Sequence, residues 1–84
     1  MSYSFFWTDR SRKDLEKLSP IISKRIVDKI ESLSEDPHRT AERCEGYLYY
    51  HQRVGIYRVI LDINDSNNLI SVRHVGLRKK VYKR

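Results

Sequence analysis

Cysteine, glycine and proline are scarce in this chain: its 84 residues include one cysteine, three glycines and two prolines. The single cysteine, Cys44, excludes an internal disulfide and a zinc site built from several thiolates, and it suits a reducing compartment. No apolar run approaches the roughly 18–20 residues of a membrane-spanning helix. The stretch from Met1 to Trp7 lacks the basic segment and cleavage site of a signal peptide. We therefore expect a cytoplasmic protein that needs no membrane, metal or cofactor.

Acidic residues are scarce in the second half of the chain. Only Asp62 and Asp65 are acidic between Gly46 and Arg84, against eight basic residues, whereas the first 45 residues carry nine of each sign. The whole formal charge of +6 thus belongs to the second half. A polyanion is the natural partner of such a segment. The alternative is that the excess charge only keeps a small protein soluble.

The length predicts one domain over residues 1–84, because so short a chain buries too little surface to build a second core. In the first half, an aromatic strand over Tyr3 to Trp7 is followed by two helices. Thr8 and Ser19-Pro20 are typical N-terminal helix signals, and Asp36-Pro37 is expected to end the second helix. Apolar residues at helical spacing form its buried stripe: Ile22, Ile26, Ile30 and Leu33. Residues His38 to Glu45 are expected to form a loop.

The second half has the composition of three strands. We expect strands over Tyr47–Val54, Ile56–Ile63 and Leu69–Val75, with a hairpin turn at residues 64–68. In the last strand, alternation places Ile70, Val72 and His74 on one face. The order of elements predicts an α+β fold in which two N-terminal helices pack on one face of a largely antiparallel four-stranded sheet. The other face is left open for function.

Three arginines are candidates for one phosphate site. Arg53 and Arg58 lie on or beside consecutive strands, and Arg78 directly follows the last strand. The planar guanidinium donates paired hydrogen bonds to phosphate oxygens and keeps its charge, so three of them would also stabilise a pentacoordinate phosphate. Each arginine taken singly is more often a solvated surface charge.

Two histidines and one tyrosine are further candidates. His51 and His74 are strand residues, and imidazole is the usual general acid or base near neutral pH, although a lone strand histidine is more often structural. Tyr82 could stack on a base or hold a ribose or phosphate oxygen, or simply anchor the tail.

At these residues the chain resembles a known family. The run Tyr57-Arg58-Val59-Ile60, preceded by Tyr50 and Arg53-Val54-Gly55, and the closing segment His74 to Tyr82 are similar to the RelE branch of the RelE/ParE toxin superfamily. The resemblance covers nearly the whole chain. It implies a compact ribonuclease fold and a ribosome-dependent mRNA interferase that works without metal and is inhibited by a cognate antitoxin.

The resemblance also implies roles for individual residues. The RNA 2′-hydroxyl would attack the adjacent phosphate in the ribosomal A site, leaving a 2′,3′-cyclic phosphate and a 5′-hydroxyl. Arg58 and Arg78 match the family's phosphate-binding and transition-state arginines, Arg53 matches a basic position, and Tyr82 matches the tail tyrosine. His51 stands where some members have a lysine, and it is our candidate for the general base, with His74 as a weaker one. Four further basic residues of this half are expected to contact RNA: Arg73, Lys79, Lys80 and Lys83.

Two other functions remain open at this point. A ParE-like inhibitor of DNA gyrase would arrest replication and leave RNA intact. A non-catalytic RNA-binding protein or degenerate toxin homologue would bind phosphates without cleaving them, with an affinity that falls steeply with salt.

Overall fold

The computed structural model describes residues 2–44, 46 and 49–77, which form a sheet and two helices. The elements, in chain order, are β1 (Ser4–Trp7), α1 (Asp9–Glu16), α2 (Pro20–Glu31), a 3₁₀ turn (Pro37–Arg39), β2 (Glu42–Arg43), β3 (Tyr50–Val54), β4 (Tyr57–Asn64) and β5 (Leu69–Leu77). No helix in the described part of the chain is long and apolar enough to cross a membrane.

Both helices begin at the residues that the sequence indicates. The Thr8 hydroxyl accepts a hydrogen bond from the Ser11 amide, and the Ser19 hydroxyl accepts one from the Ile22 amide, so each side chain occupies one amide that the helix leaves unbonded. Helix α2 ends at Glu31, earlier than Asp36-Pro37. After Glu31 the backbone continues in tighter turns, in which the amides of Leu33 and Ser34 donate to the carbonyls of Ile30 and Glu31, three residues earlier.

The five strands form one sheet in the order β1-β5-β4-β3-β2. Strand β1 runs parallel to β5, and the other three pairings are antiparallel. Strands β3 and β4 are joined by the two-residue turn Gly55-Ile56, in which Gly55 has a φ of +61°, a conformation that glycine adopts without the strain of a Cβ. β4 is thus the central strand, in agreement with the apolar residues on both of its faces.

The α+β fold is confirmed, but the predicted count of four strands is one too low. The additional strand, β2, has two residues and lies in the segment predicted as a loop, where Glu42 pairs with His51 and Arg43 with Tyr50. Two residues are too few to show an alternating pattern, so sequence periodicity could not reveal this strand.

The core lies between one face of the sheet and the helices. It contains the predicted stripe of α2 together with inward-facing residues of β3, β4 and β5: Ile26, Ile30, Leu33, Val54, Val59, Leu61, Ile70, Val72 and Val75. Tyr3, Phe5 and Trp7 pack against this cluster from β1, as their alternation predicts. Gln52 also points inward, and it is buried with its amide bonded to Thr40 and to the Arg53 carbonyl.

A bulge in β5 changes which residues face the core. Leu61 pairs with Val72 but the preceding Ile60 pairs with His74, so Arg73 has no partner position on β4. The extra residue reverses the alternation, as a β-bulge does. Val75 therefore joins Ile70 and Val72 in the core, and His74 lies on the opposite face. The prediction that His74 shares a face with Ile70 and Val72 is wrong for this reason.

Candidate functional site

The sheet face turned away from the helices carries the candidate side chains, and we call it the outer face. Residues that pair across strands share a face, so the pairing register defines its members. They include Phe6 on β1, Glu42 on β2, His51 and Arg53 on β3, Arg58, Ile60 and Asp62 on β4, and Ser71, His74 and Gly76 on β5. Three predicted site residues, His51, Arg53 and Arg58, are thus brought together on one surface.

Arg53 and Arg58 are direct cross-strand partners at the end of the β3–β4 hairpin. Arg53 is exposed and Arg58 is half-buried. The partner of Arg58 on its other side is Gly76, which has no side chain to occupy the space beside it. Like charges at opposite positions repel one another, and a bound anion would relieve that repulsion. The pair has the charge of a phosphate site, and its two members lie directly across the strands from each other.

His51 lies two residues before Arg53 on β3, on the same face, opposite Ile60. Its side chain is 11 % exposed, and its Nε2 is 3.1 Å from Oε1 of Glu42 on β2. Burial is the main cause that lowers the pKa of His51 below its ordinary value of 6.5; Arg58 and Arg53 add to this effect, and Glu42 partly offsets it. The ring is therefore neutral near pH 7, which is the state a general base requires.

Arg73, predicted to bind RNA, is the bulge residue of β5. Its Nη1 lies 2.8 Å from Oδ2 of Asp62, and both side chains are about half exposed. Part of its charge is therefore balanced within the protein. Arg73 belongs to the outer face through this contact, but it is a weaker anion site than the Arg53–Arg58 pair.

His74 is held from the side by helix α1. Strand β1 pairs with β5 only as far as Val72, and α1 lies along the edge that follows. There Oδ2 of Asp14 accepts hydrogen bonds from Nδ1 of His74 at 2.7 Å and from the amide of Val75 at 3.0 Å. The carboxylate thus takes the place of a strand partner for Val75 and fixes the orientation of the His74 ring.

The remaining predicted site residues, Arg78, Lys79, Lys80, Tyr82 and Lys83, lie outside the described residues. β5 ends at Leu77, the cross-strand partner of Tyr57, and Arg78 is the next residue in the sequence.

Three acidic residues of the site were not identified from the sequence: Asp14, Glu42 and Asp62. Asp14 is 60 residues from His74, and no local pattern connects the two. Glu42 belongs to the strand that was taken for a loop. Asp62 is one of only two acidic residues in the basic second half of the chain. The rarity of acidic residues there is the one sequence signal that could have singled it out. Among the residues that the structure describes, no three His, Cys, Asp or Glu side chains are grouped closely enough to hold a metal ion.

Comparisons with known proteins agree with this architecture. The family model of the ParE toxin of type II toxin–antitoxin systems matches residues 5–82. Toxin RelG of Mycobacterium tuberculosis is 30 % identical to this chain over 87 residues, covering the whole of both. The toxin–antitoxin complex RelBE2 of the same organism contains a chain that superposes with a TM-score of 0.82 and 30 % identity, with 93 % of each chain covered.

A more distant relative has the same fold. A chain of the RelB–RelE antitoxin–toxin complex of Methanococcus jannaschii superposes with a TM-score of 0.69 at 29 % identity, over 92 % of this chain and 94 % of that one. The family model and the similarity to RelG each extend over nearly the full length of the sequence. The chain therefore belongs to the RelE/ParE superfamily of type II toxin–antitoxin toxins.

Proposed function

We propose that this chain is an endoribonuclease toxin that cuts mRNA in the ribosomal A site and so inhibits translation. The observation that carries the proposal is the cross-strand pair Arg53–Arg58, with the neutral ring of His51 two residues away along β3 on the same face. A site for one backbone phosphate and a base for one hydroxyl proton are the minimum that RNA cleavage needs. Candidates for both roles lie within three consecutive residues of β3 and their partners on β4.

In this mechanism the RNA supplies its own nucleophile. His51 takes the proton of the 2′-hydroxyl, the 2′-oxygen attacks the adjacent phosphorus in line, and the 5′-oxygen leaves. Arg53 and Arg58 bind the non-bridging oxygens and stabilise the additional negative charge of the pentacoordinate phosphate. Because a guanidinium stays protonated, this stabilisation does not depend on pH near neutrality.

The basic tail extends the proposed site. Arg78 would be the third phosphate-binding arginine, and Tyr82 would stack on a base or hold a ribose oxygen. The other proposed RNA contacts are Arg73, Lys79, Lys80 and Lys83. Since these contacts are to the RNA backbone, they add affinity without sequence specificity.

A cognate antitoxin is the proposed regulatory partner. Solved relatives include toxin–antitoxin complexes from Mycobacterium tuberculosis and Methanococcus jannaschii. An acidic or amphipathic antitoxin segment laid over a basic site would be attracted by charge and would exclude RNA. The ribosome, the mRNA and the antitoxin place the proposed activity in the cytoplasm.

The test is a primer-extension map of a translated mRNA after brief induction of the protein. We expect cuts within the reading frame that disappear when an inhibitor clears ribosomes from the message. An Arg53→Gln, Arg58→Gln double variant should leave the message intact while its circular dichroism spectrum stays that of the wild type. Cuts that persist at the wild-type rate in this variant would contradict the proposed site.

Inhibition of DNA gyrase is the second candidate, and the match to the ParE family model favours it. Growth arrest with intact mRNA and blocked replication would support that function instead. If neither effect occurs and the protein binds RNA in a salt-dependent manner, it is a non-catalytic RNA-binding homologue.

A further inference from the structure

One row of the outer face carries an imidazole on each side of an apolar residue. Ile60 on β4 is the direct partner of His51 on β3 and of His74 on β5. Neighbouring strands are about 4.8 Å apart, so the Cα atoms of the two histidines are separated by roughly 10 Å. Ile60 is 6 % exposed and forms the floor between them. Arg58, two residues before Ile60 on the same face, borders the same gap.

The two rings have different partners. The carboxylate beside His51 belongs to Glu42, whose side chain is 69 % exposed. Arg58 and Arg53 are the other charged groups that act on His51. The carboxylate beside His74 belongs to Asp14, whose side chain is 11 % exposed. The carboxylate of Asp14 is thus largely sheltered from water, whereas that of Glu42 is exposed. Among the residues that the structure describes, the other charged groups near His74 on the outer face are its neighbour Arg73, and Arg58 and Asp62 on β4.

The hydrogen bonds of Asp14 also determine which ring nitrogen of His74 is available to a ligand. An ionised carboxylate only accepts hydrogen bonds, so the proton between them belongs to Nδ1 of His74. Nε2 is then the nitrogen left available to a bound molecule, and in the doubly protonated ring it carries the proton that can be donated. Asp14 is itself fixed by the amide of Val75, and its Oδ1 lies 3.4 Å from Nε of Arg10. The ring is thus held in one orientation before any ligand arrives.

We propose that His74, positioned by Asp14, is the general acid of the RNA cleavage reaction and acts opposite His51. The inference rests on the proposed function and assigns the proton that the leaving group needs. The 2′-hydroxyl proton passes to His51 as the 2′-oxygen bonds to phosphorus. The bond between phosphorus and the 5′-oxygen breaks, and Nε2 of His74 gives that oxygen its proton. The two rings end with their protonation states exchanged, and water restores them without any other reactant.

A substrate with sulfur in place of the scissile 5′-oxygen tests this assignment. A thiolate is a far weaker base than an alkoxide, with a thiol pKa of about 8.5, so it leaves without a proton donor. On ribosomes programmed with ordinary mRNA, the single-turnover rate of the His74→Gln variant should fall by about 100-fold or more. On the sulfur substrate the variant should approach the wild-type rate, whereas His51→Gln should remain slow on both. A His74→Gln defect that sulfur does not restore would overturn the proposal.

His38→Gln is the matched control, because His38 also has a carboxylate partner, Asp65 at 2.9 Å, but lies away from this face. It should cleave both substrates at the wild-type rate. Asp14→Asn gives a second readout that does not require removal of the histidine. It keeps an acceptor for the Val75 amide but removes the carboxylate that orients the His74 ring, so the rate on ordinary mRNA should fall while the rate on the sulfur substrate stays near that of the wild type. An Asp14→Asn variant that cleaves ordinary mRNA at the wild-type rate would contradict the positioning role.

The two proposals fail in different ways. If the wild-type protein does not cut mRNA on ribosomes, the proposed function is wrong. If the wild type cuts and His74→Gln cuts equally fast, only the assignment of the acid is wrong, and the Asp14–His74 contact serves to fasten α1 to β5.

Discussion

Arg53 on β3 faces Arg58 on β4 across the strand pair, so two guanidinium groups share one position of the sheet. Like charges placed in this way repel one another and weaken the pairing of the two strands. The arrangement is reasonable if the site evolved to hold an anion, since a phosphate between the two groups changes repulsion into attraction.

Replacing Arg53 should therefore stabilise the free protein while it weakens RNA cleavage. We expect Arg53→Gln to raise the free energy of unfolding by up to about 1 kcal/mol at low ionic strength, and the gain should shrink as salt screens the repulsion. Urea unfolding at two salt concentrations measures this. Arg25→Gln, on the exposed surface of α2, makes the same change in net charge and should have little effect. Equal effects of the two substitutions would show that only net charge matters.

Removing the acidic partner of Arg73 should strengthen RNA binding. In Asp62→Asn the guanidinium of Arg73 loses the carboxylate at 2.8 Å, and the outer face loses one negative charge. Because exposed pairs are worth about 0–1 kcal/mol, stability should change little, while RNA affinity at low salt should rise by up to about fivefold. Fluorescence anisotropy with a short RNA measures the affinity.

Asp28→Asn is the control for this substitution. Asp28 forms a similarly exposed ion pair with Lys24 on α2, at 3.1 Å, and its loss changes the net charge equally. An increase in RNA affinity as large as that of Asp62→Asn would mean that the position of Arg73 is unimportant.

The pKa of His51 should change when its charged neighbours are replaced. Burial, followed by Arg58, lowers the pKa of His51 below 6.5, and Glu42 opposes the shift. Arg58→Gln should therefore raise the pKa of His51 toward 6.5, and Glu42→Gln should lower it further. The ring proton resonances followed by NMR against pH give both values in the free protein. Shifts in the opposite directions would remove the argument that His51 is neutral because of this site.

The pKa shift of His51 also affects stability. A histidine whose pKa is lower in the folded state binds its proton more readily when unfolded, so stability is lost as pH falls from 6.5 through the folded pKa. His51→Gln should remove this acid-side loss. A variant whose stability falls as steeply as that of the wild type between these two pH values would contradict the shift.

The contact between Tyr3 and Asp65 should make the free energy of unfolding depend on pH at both the acid and the alkaline end of the range. The Tyr3 hydroxyl donates to Oδ1 of Asp65 at 2.6 Å, and Nε2 of His38 lies 2.9 Å from the same oxygen. The hydrogen bond from Tyr3, followed by that from His38, lowers the pKa of Asp65 below 3.8, and the same Tyr3–Asp65 bond is the main cause that raises the pKa of Tyr3 above 10.0.

The signs of these two effects differ. The contribution of Asp65 is present above pH 3.8 and is lost as pH falls through its folded pKa; that of Tyr3 is present below pH 10.0 and is lost as pH rises through its folded pKa. Tyr3→Phe should abolish the alkaline loss and reduce the acid one, as measured by urea midpoints across pH. A variant that retains both losses would show that the contact contributes nothing to stability.

Local patterns in the sequence were sufficient for most of the architecture. Alternation in Tyr57 to Ile63 identified the central strand, and Thr8 and Ser19 marked the starts of both helices. Such features depend on residues a few positions apart, so they can be recognised before the chain is folded. The arginine pair was also predictable, because a glycine turn between two strands brings residues on either side of it together.

The sequence by itself determined the fold class, the basic second half and the candidates Arg53, Arg58 and His51. Only the tertiary structure decided that His74 turns away from the core and receives Asp14 as its partner. The first depends on one extra residue in β5, whose effect appears only when β4 sets the pairing register. The second joins residues 60 positions apart through the way α1 lies along an unpaired strand edge. Neither leaves a local pattern, since both are consequences of packing between separate elements.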